Sequence, residues 1–194
     1  MPVTTAEGPG SRFALWVQGC TLGCPGCCNP HMLPPGPRPP TPLPEIIEGL
    51  DAAVIEHGIE GITVLGGEPL QQLPAVTMLC AAATARGLGV LVFTGYRLEE
   101  SRARPGFDAL WRHVDTLVDG RYDARRPEPS EPAGGRRFIG SSNQRLCHRS
   151  DRYRDPALWQ GPARVEVSIG PHGELSAHGE PGTVAALLRS LRSA

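Results

Sequence analysis

The sequence predicts an α/β fold built from parallel βα units. Short apolar runs rich in β-branched residues alternate along the chain with segments whose apolar residues recur at helical spacing. The strand-like runs end in glycine or polar residues, and 194 residues are enough for one domain with a substantial core. Strand, loop and helix in repetition indicate a parallel sheet with right-handed crossovers. We therefore expect a single domain over residues 1–194.

The first strand, Phe13–Val17, is followed by a cysteine-rich loop and then by a proline-rich segment. Residues 30–44 contain eight prolines, which remove too many N–H groups for a helix or a sheet, so we expect an extended surface loop. A helix then begins near Pro44, which suits a first helical turn, and ends at Gly58. The apolar face of this helix consists of Ile46, Ile47, Leu50 and Val54.

The second and third strands are Ile62–Leu65 and Val90–Phe93. The segment between them has apolar residues at helical spacing, and Cys80 lies on this apolar stripe, where a buried thiol acts as a small hydrophobe. A helix-like stretch over residues 107–114 precedes a fourth strand, Thr116–Val118. The sequence thus supplies four strands of the expected parallel sheet.

The C-terminal part predicts a hairpin and a helix. Val165–Ile169 and residues 174–177 read as two strands joined by a tight turn at residues 171–173. Thr183 is placed to cap a helix whose apolar residues are Val184, Leu187, Leu188 and Leu191. We expect these elements, residues 163–194, to complete the sheet and cover its edge. His172 and His178 are expected to be turn and strand-end residues.

Composition excludes several classes of function. The net charge of −1 gives no general attraction to nucleic acid or to a membrane surface, and no apolar run reaches membrane-spanning length. All 19 basic residues are arginine, which excludes lysine Schiff-base chemistry. No secretory signal is recognisable at the N-terminus, so we expect the reducing cytoplasm. Residues 121–154 hold nine arginines against four acids, which predicts a solvated loop or a docking surface for an acidic partner.

Cys20, Cys24 and Cys27 form a C-x3-C-x2-C run directly after the first strand. A cubane 4Fe-4S cluster has four irons, each of which normally takes one thiolate. Three thiolates therefore leave one iron free to bind something else. Cys147 is isolated in the sequence, so a second cluster is not expected.

Other kinds of cysteine site fit this run less well. A thioredoxin-like C-x-x-C motif begins a helix, but Pro30 follows the cysteines almost at once. Near-adjacent cysteines fit poorly into disulfides. A structural zinc site needs four ligands, and no second close pair follows, although Cys28 or His31 can complete a compact site. A zinc-binding module therefore stays open as an alternative.

Four unusual segments follow the ends of strands. They are the cysteine loop, Gly66-Gly67-Glu68-Pro69, Thr94-Gly95-Tyr96 and Asp119-Gly120. Loops that leave the carboxyl ends of parallel strands lie on one rim, where the sites of barrel-like α/β proteins are found. These segments are therefore expected to share a site.

Five segments together give the chain a family resemblance. Besides the cysteine run and Gly66–Pro69, they are the stretches 7–13, 118–122 and 140–146. In this order they resemble the radical S-adenosylmethionine (SAM) enzymes, within the glycyl-radical activase branch that activates anaerobic ribonucleotide reductase. The resemblance covers a core of about residues 7–146. It implies an incomplete parallel (β/α) barrel of radical SAM type, with the C-terminal hairpin and helix added.

The resemblance also implies cofactors and site residues. Cys20, Cys24 and Cys27 would hold a single 4Fe-4S cluster whose open iron chelates the methionine part of SAM, and one electron from the cluster would split SAM into methionine and a 5′-deoxyadenosyl radical. The turn Gly66, Gly67, Glu68 and Pro69 would meet the methionine amino group. Further candidates for contacts to SAM or substrate are Thr94, Tyr96, Asp119, Asn143 and Arg145.

Partners follow from the same resemblance. The implied substrate is a glycyl-radical protein, with flavodoxin or ferredoxin as electron donor. An alternative is a small molecule or a peptide of a biosynthetic pathway. The chain departs from the family at Cys28, where an aromatic residue that shapes the adenine pocket is usual. We therefore expect adenine packing to come from elsewhere or from backbone contacts, and Cys28 to be a spare thiol.

Overall fold

The computed structural model describes residues 1–36, 39–129, 133–162, 164–169 and 175–192. The strands are β1 (Arg12–Val17), β2 (Gly61–Gly66), β3 (Gly89–Thr94), β4 (Thr116–Asp119), β5 (Arg145–His148), β6 (Val165–Ile169) and β7 (Leu175–Gly179). The α-helices are α1 (Leu43–His57), α2 (Leu73–Ala85), α3 (Leu98–Arg102), α4 (Phe107–Trp111) and α5 (Pro181–Arg192). The fold is therefore α/β, as the sequence predicts.

The main sheet has the order β1-β2-β3-β4-β5. The first four strands are parallel, which confirms the predicted βα units, and β5 is antiparallel to β4. The antiparallel strand was not predicted, because residues 140–146 read as a loop. Within the described residues the sheet is open, with β1 and β5 at its edges, and it does not close into a barrel.

The two faces of the sheet carry different cores. Alternate residues point to opposite faces of a strand, so Ile62, Val64 and Val90 pack with the helices, while Leu91 and Val118 belong to a second cluster. The members of that second cluster outside the sheet are Ile139, Tyr153 and Trp159. Helices thus cover one face, and loops after β4 cover part of the other. Cys80 is fully buried in the helical core, as expected.

The described helix ends mostly confirm the sequence signals. Helix α1 begins at Leu43 after the proline-rich segment and ends at Gly58, whose φ of 58° is left-handed. The helix predicted over residues 107–114 ends earlier, at Trp111. Helix α3 was not predicted, because five residues are too few to show a periodic pattern.

The C-terminal elements correct one expectation. Strands β6 and β7 pair antiparallel as predicted, but they form a separate two-stranded sheet and do not complete the main one. The N-terminal segment holds them through side chains, because the Thr5 amide donates to Glu166 (2.8 Å) and the Gly179 amide donates to Glu7 (3.0 Å). The predicted turn at residues 171–173, with His172, lies outside the described residues, as do the side chains of Leu188 and Leu191.

The cap of α5 is Glu180 instead of the expected Thr183. The Glu180 carboxylate accepts hydrogen bonds from the amides of Gly182 (2.8 Å) and Thr183 (2.6 Å). Pro181 is favoured at the first helical position, so the helix begins three residues earlier than the hydroxyl signal indicated. Across the described residues, none of the helices is both long and apolar enough to cross a lipid bilayer.

Arg12 is a fully buried cation in β1. Its guanidinium donates to the Thr63 hydroxyl (2.7 Å) and the Tyr153 hydroxyl (2.7 Å). Its other acceptors are the carbonyl oxygens of Pro9, Ile62 and Gly89. A buried charge is tolerated only when its hydrogen bonds are satisfied, so Arg12 links the N-terminal segment, β2 and the loop after β5.

We expect Tyr153→Phe to lower the free energy of unfolding by about 1.5–3 kcal/mol, because it removes an acceptor from the buried Arg12 guanidinium. Tyr122→Phe is the matched control, since the half-buried Tyr122 hydroxyl has no hydrogen bond to a described residue. Urea unfolding of both variants measures the difference. Equal stability of the two variants would contradict this role for Arg12.

Candidate active site

The three cysteines line one cavity of about 690 Å³ at the carboxyl ends of the parallel strands. The Sγ atom of Cys20 accepts a hydrogen bond from the Leu22 amide, and that of Cys27 accepts one from the Asn29 amide, both at 3.4 Å. Amide donors to thiolates stabilise negative charge on sulfur and tune the potential of a bound cluster. The loop is therefore shaped to present thiolates.

The proline-rich segment supports the cysteine loop from outside. The Gly19 amide donates to the Met32 carbonyl (2.8 Å), and the Cys20 amide donates to the Leu33 carbonyl (2.9 Å). The Gln18 side chain donates to the Pro34 carbonyl at 2.6 Å. The start of this segment thus fixes the backbone on the N-terminal side of Cys20.

The thiols influence one another's ionisation. Burial and the neighbouring charge of Cys27 raise the pKa of Cys24, and a hydrogen bond from the Tyr122 amide opposes this shift. A hydrogen bond from Cys28 lowers the pKa of Cys27 to about 6. Several thiolates in one place repel each other, and a bound metal centre removes this cost.

The donor set fits an iron-sulfur cluster, because three thiols line one cavity and two of them accept hydrogen bonds from amides. Among the described residues, no three Cys, His, Asp or Glu side chains converge as ligands of one metal ion. Cys20, Cys24 and Cys27 would be these ligands, and Cys28 is an exposed neighbour that also lines the cavity.

The Gly66–Pro69 turn is docked against the cysteine loop by backbone hydrogen bonds. The Gly67 amide donates to the Val17 carbonyl (2.7 Å), and the Glu68 amide donates to the Gly19 carbonyl (3.0 Å). A Cβ atom on Gly67 would lie 2.4 Å from the Gly19 oxygen, so only glycine fits there. The end of β2 thereby positions the residue that precedes Cys20.

Glu68 is 1% exposed and joins two strand ends. Its carboxylate accepts hydrogen bonds from the Leu70 amide (2.8 Å), the Thr94 hydroxyl (2.7 Å) and the Gly95 amide (2.8 Å). Burial raises the pKa of this carboxyl, and these hydrogen bonds oppose the shift. Both oxygens are used within the protein, so Glu68 holds the turn beside the loop that follows β3.

Of the predicted site residues Pro69, Thr94 and Tyr96, only Thr94 lines the cavity. Thr94 lines the cavity together with Gly66 and Gly67. Pro69 is buried and is not among the residues that line the cavity. Tyr96 is not among them either: its hydroxyl accepts a hydrogen bond from Gln71 (3.0 Å), and its ring centre lies 4.4 Å from the Arg104 guanidinium. Contacts of Pro69 and Tyr96 with SAM remain predictions.

The remaining predicted residues contact one another. Arg145 pairs with the fully buried Asp119 through two hydrogen bonds and with Glu99 at 2.8 Å. These ion pairs raise the pKa of Arg145. The Asn143 side chain donates to the Arg121 carbonyl (2.8 Å). The side chains of Asp119, Asn143 and Arg145 lie outside the cavity lining, and their contacts with SAM or substrate remain predictions.

Several cavity residues were not found from the sequence. Trp16 and His178 face each other with ring centroids 4.8 Å apart, and Tyr122 lies beside the cysteines. Others are Glu7, Arg136, Arg137 and Phe138. Glu7 and Tyr122 belong to the segments that carry the family resemblance, which was a usable signal. The other cavity residues reach the cavity through contacts between distant parts of the chain, and local sequence patterns do not predict such contacts.

Glu7 is a buried carboxyl in the cavity wall. Burial raises its pKa to about 8, the Gly179 amide opposes this shift, and the nearby charge of Glu166 adds to it. Its folded pKa lies above its unfolded value, so the folded state holds the proton more strongly. Stability therefore falls as pH rises from about 4.5, the unfolded value, to about 8.

We expect Glu7→Gln to flatten this pH dependence, because a neutral amide has no proton to lose. The gain in unfolding free energy over the wild type should grow from pH 5 to pH 8 and then level off. Urea unfolding across this range measures it, with the exposed Glu45→Gln as control. A constant difference between wild type and Glu7→Gln at all pH values would contradict the shifted pKa.

We expect Gly67→Ala to prevent proper cluster assembly, because its methyl group would push the Gly19 carbonyl and the adjoining Cys20. Iron content after anaerobic reconstitution should fall by about half or more, because changes to the supporting residues of a metal site typically weaken its affinity about 10–100-fold. Gly49→Ala in α1 is the control, because a Cβ atom at Gly49 would have its nearest neighbour, the Phe13 ring, 3.9 Å away. Equal iron in both variants would refute the docking role.

Comparison with known proteins agrees with this geometry. A family model described as a 4Fe-4S single cluster domain matches residues 6–147. The anaerobic ribonucleoside-triphosphate reductase-activating protein of Escherichia coli K12 is 34% identical over 157 residues, covering 76% of this chain and 94% of that protein. The protein of the same name from Salmonella typhi is 35% identical over 76% of this chain and 94% of its own length.

A viral relative extends the similarity. The protein of this name from Enterobacteria phage T4 is 28% identical over 77% of this chain and 92% of its own length. The matched region includes Cys20, Cys24, Cys27 and the Gly66–Pro69 turn. The chain therefore belongs to the single-cluster 4Fe-4S family of radical SAM enzymes that includes the activating proteins of anaerobic ribonucleoside-triphosphate reductase.

Proposed function

We propose that this radical SAM enzyme generates a glycyl radical on a protein substrate. The observation that carries the proposal is the backbone docking of Gly67 and Glu68 against the cysteine loop inside one cavity. When bound, the reduced 4Fe-4S cluster supplies one electron to the sulfonium of SAM, which yields methionine and a 5′-deoxyadenosyl radical. The relatives are named as activating proteins of a reductase, which supports a protein substrate.

The protein's own residues would bind and orient SAM. Cys20, Cys24 and Cys27 would hold three irons and would leave the fourth without a protein thiolate. Gly66 and Gly67 line that cavity without side chains, which lets a methionine amino group approach the backbone closely. Glu68 would act indirectly by fixing the turn, since its carboxylate oxygens already accept three hydrogen bonds.

Tyr122 supplies the aromatic surface that is missing at Cys28. It lines the cavity near the cysteines, and Gly140 packs closely on its ring, because a Cβ there would lie 3.1 Å from two ring carbons. A flat apolar ring stacks well on an adenine base. We assign adenine packing to Tyr122.

The open sheet suits a macromolecular substrate. We propose that the four parallel strands form part of an incomplete (β/α) barrel and that the bound partner closes the open side. A glycine main chain entering this side would lose a hydrogen atom to the 5′-deoxyadenosyl radical. The electron donor would be flavodoxin or ferredoxin, and the cytoplasm would be the compartment.

We expect Cys20→Ala, Cys24→Ala and Cys27→Ala each to reduce 5′-deoxyadenosine release to background, because each removes a cluster ligand. The assay uses anaerobically reconstituted protein with SAM and a strong reductant. Cys28→Ala should retain the brown chromophore and the product, and Cys147→Ala is the control outside the cavity. Zinc without iron in the purified chain, with no product from the wild type, would favour the metal-binding module instead.

Mixing the active enzyme with the anaerobic ribonucleoside-triphosphate reductase of the same organism tests the substrate. We expect a glycyl-radical electron paramagnetic resonance signal on the reductase that requires SAM. Release of 5′-deoxyadenosine without any radical on the reductase would favour a small-molecule or peptide substrate.

A further inference from the structure

Two arginines in the cavity wall have no carboxylate partner. Arg137 and Arg164 both line the cavity, and neither forms an ion pair with a described acid. Arg164 donates to the Thr5 hydroxyl (3.0 Å), which donates in turn to Glu166 (3.0 Å), so its nearest carboxylate is one hydroxyl away. Two guanidinium groups thus face one cavity with their charges uncompensated.

The other charged side chains of the described cavity lining already have partners within the protein. Arg136 forms a bidentate pair with Glu128, at 2.8 and 2.7 Å. Glu180 caps α5, and Glu68 accepts three hydrogen bonds from the protein. Burial raises the pKa of Glu7 to about 8, so this carboxyl is mostly protonated at neutral pH. Arg137 and Arg164 are therefore the arginines of the described lining that form no ion pair with a carboxylate.

Arg137 is also incompletely hydrogen-bonded. Its Nε atom is shielded from water and has no acceptor among the described residues. One terminal nitrogen makes a long contact of 3.5 Å with the Gln160 carbonyl, and the guanidinium lies 4.5 Å from the centre of the Phe138 ring. A shielded donor without a partner is costly, and an oxyanion bound side-on satisfies Nε and a terminal nitrogen together.

The C-terminal hairpin holds Arg164 in the cavity wall. Its guanidinium donates to the Thr5 hydroxyl (3.0 Å), and its carbonyl accepts a hydrogen bond from the Glu180 amide (3.3 Å).

We propose that Arg137 and Arg164 form an oxyanion subsite that receives an acidic group, a carboxylate or a phosphate, of the substrate. This subsite adds a substrate contact to the proposed function. It rests on that function, which makes the cavity the place where the substrate binds. Arg164 lies beyond residue 147, where the family match ends, so the C-terminal hairpin contributes specificity that the shared core lacks.

Anion titration of the full reconstituted chain tests this subsite. The probes are inorganic phosphate and acetate, followed by tryptophan fluorescence and calorimetry, because Trp159 accepts the Arg137 amide hydrogen bond through its carbonyl (2.7 Å). We expect saturable binding that Arg137→Gln and Arg164→Gln each weaken by about 10-fold or more. Tighter phosphate binding identifies a phosphorylated substrate, and tighter acetate binding identifies a carboxylate group.

Two further arginine variants serve as controls for the titration. Arg125→Gln removes an exposed arginine that pairs with Asp123 outside the cavity, and it should bind both probes like the wild type. Arg137→Lys keeps the charge without the planar fork and should bind with intermediate affinity. Equal affinity in all variants, or no saturable binding by the wild type, would overturn the subsite. The titration needs no SAM cleavage, so a wild type that makes no 5′-deoxyadenosine defeats the proposed function separately.

Discussion

The site depends on one backbone contact, in which the end of β2 hydrogen-bonds to the loop that carries the cysteines. The amides of Gly67 and Glu68 donate to carbonyls on either side of Gln18, two residues before Cys20. Side chains can change rotamers, whereas these amides are fixed by the parallel register of β1 and β2. The sheet therefore sets the position of the first cysteine relative to the Gly66–Pro69 turn.

The two faces of the main sheet have different roles. Helices pack on one face and supply most of the apolar core, which leaves the other face for the cavity and the loops that surround it. Most basic residues of the arginine-rich stretch 121–154 are paired with acids. Described ion pairs of the arginine-rich stretch include Arg121–Glu100, Arg125–Asp123, Arg136–Glu128, Arg145–Asp119 and Arg154–Asp151. The uncompensated charge therefore marks specific positions instead of a general basic surface.

Local patterns predicted the parallel strands and the cysteine loop, because β-branched runs, helical spacing and glycine ends are properties of short segments. They did not predict β5, since Arg145–His148 becomes a strand only by pairing with β4. The roles of Asp119 and Arg145 were hidden for the same reason: their ion pair joins residues 26 positions apart. The hairpin was recognised, but its attachment to Thr5 and Glu7 depends on side chains distant in sequence.

The measurement that tests the central claim most directly is electron-nuclear double resonance of the reduced cluster with isotope-labelled SAM. The account predicts magnetic coupling between the cluster and labelled amino nitrogen and carboxylate carbon atoms, because three cysteines would leave one iron for SAM in the cavity that Gly66 and Gly67 also line. A reduced 4Fe-4S cluster that shows no coupling to either label would contradict it.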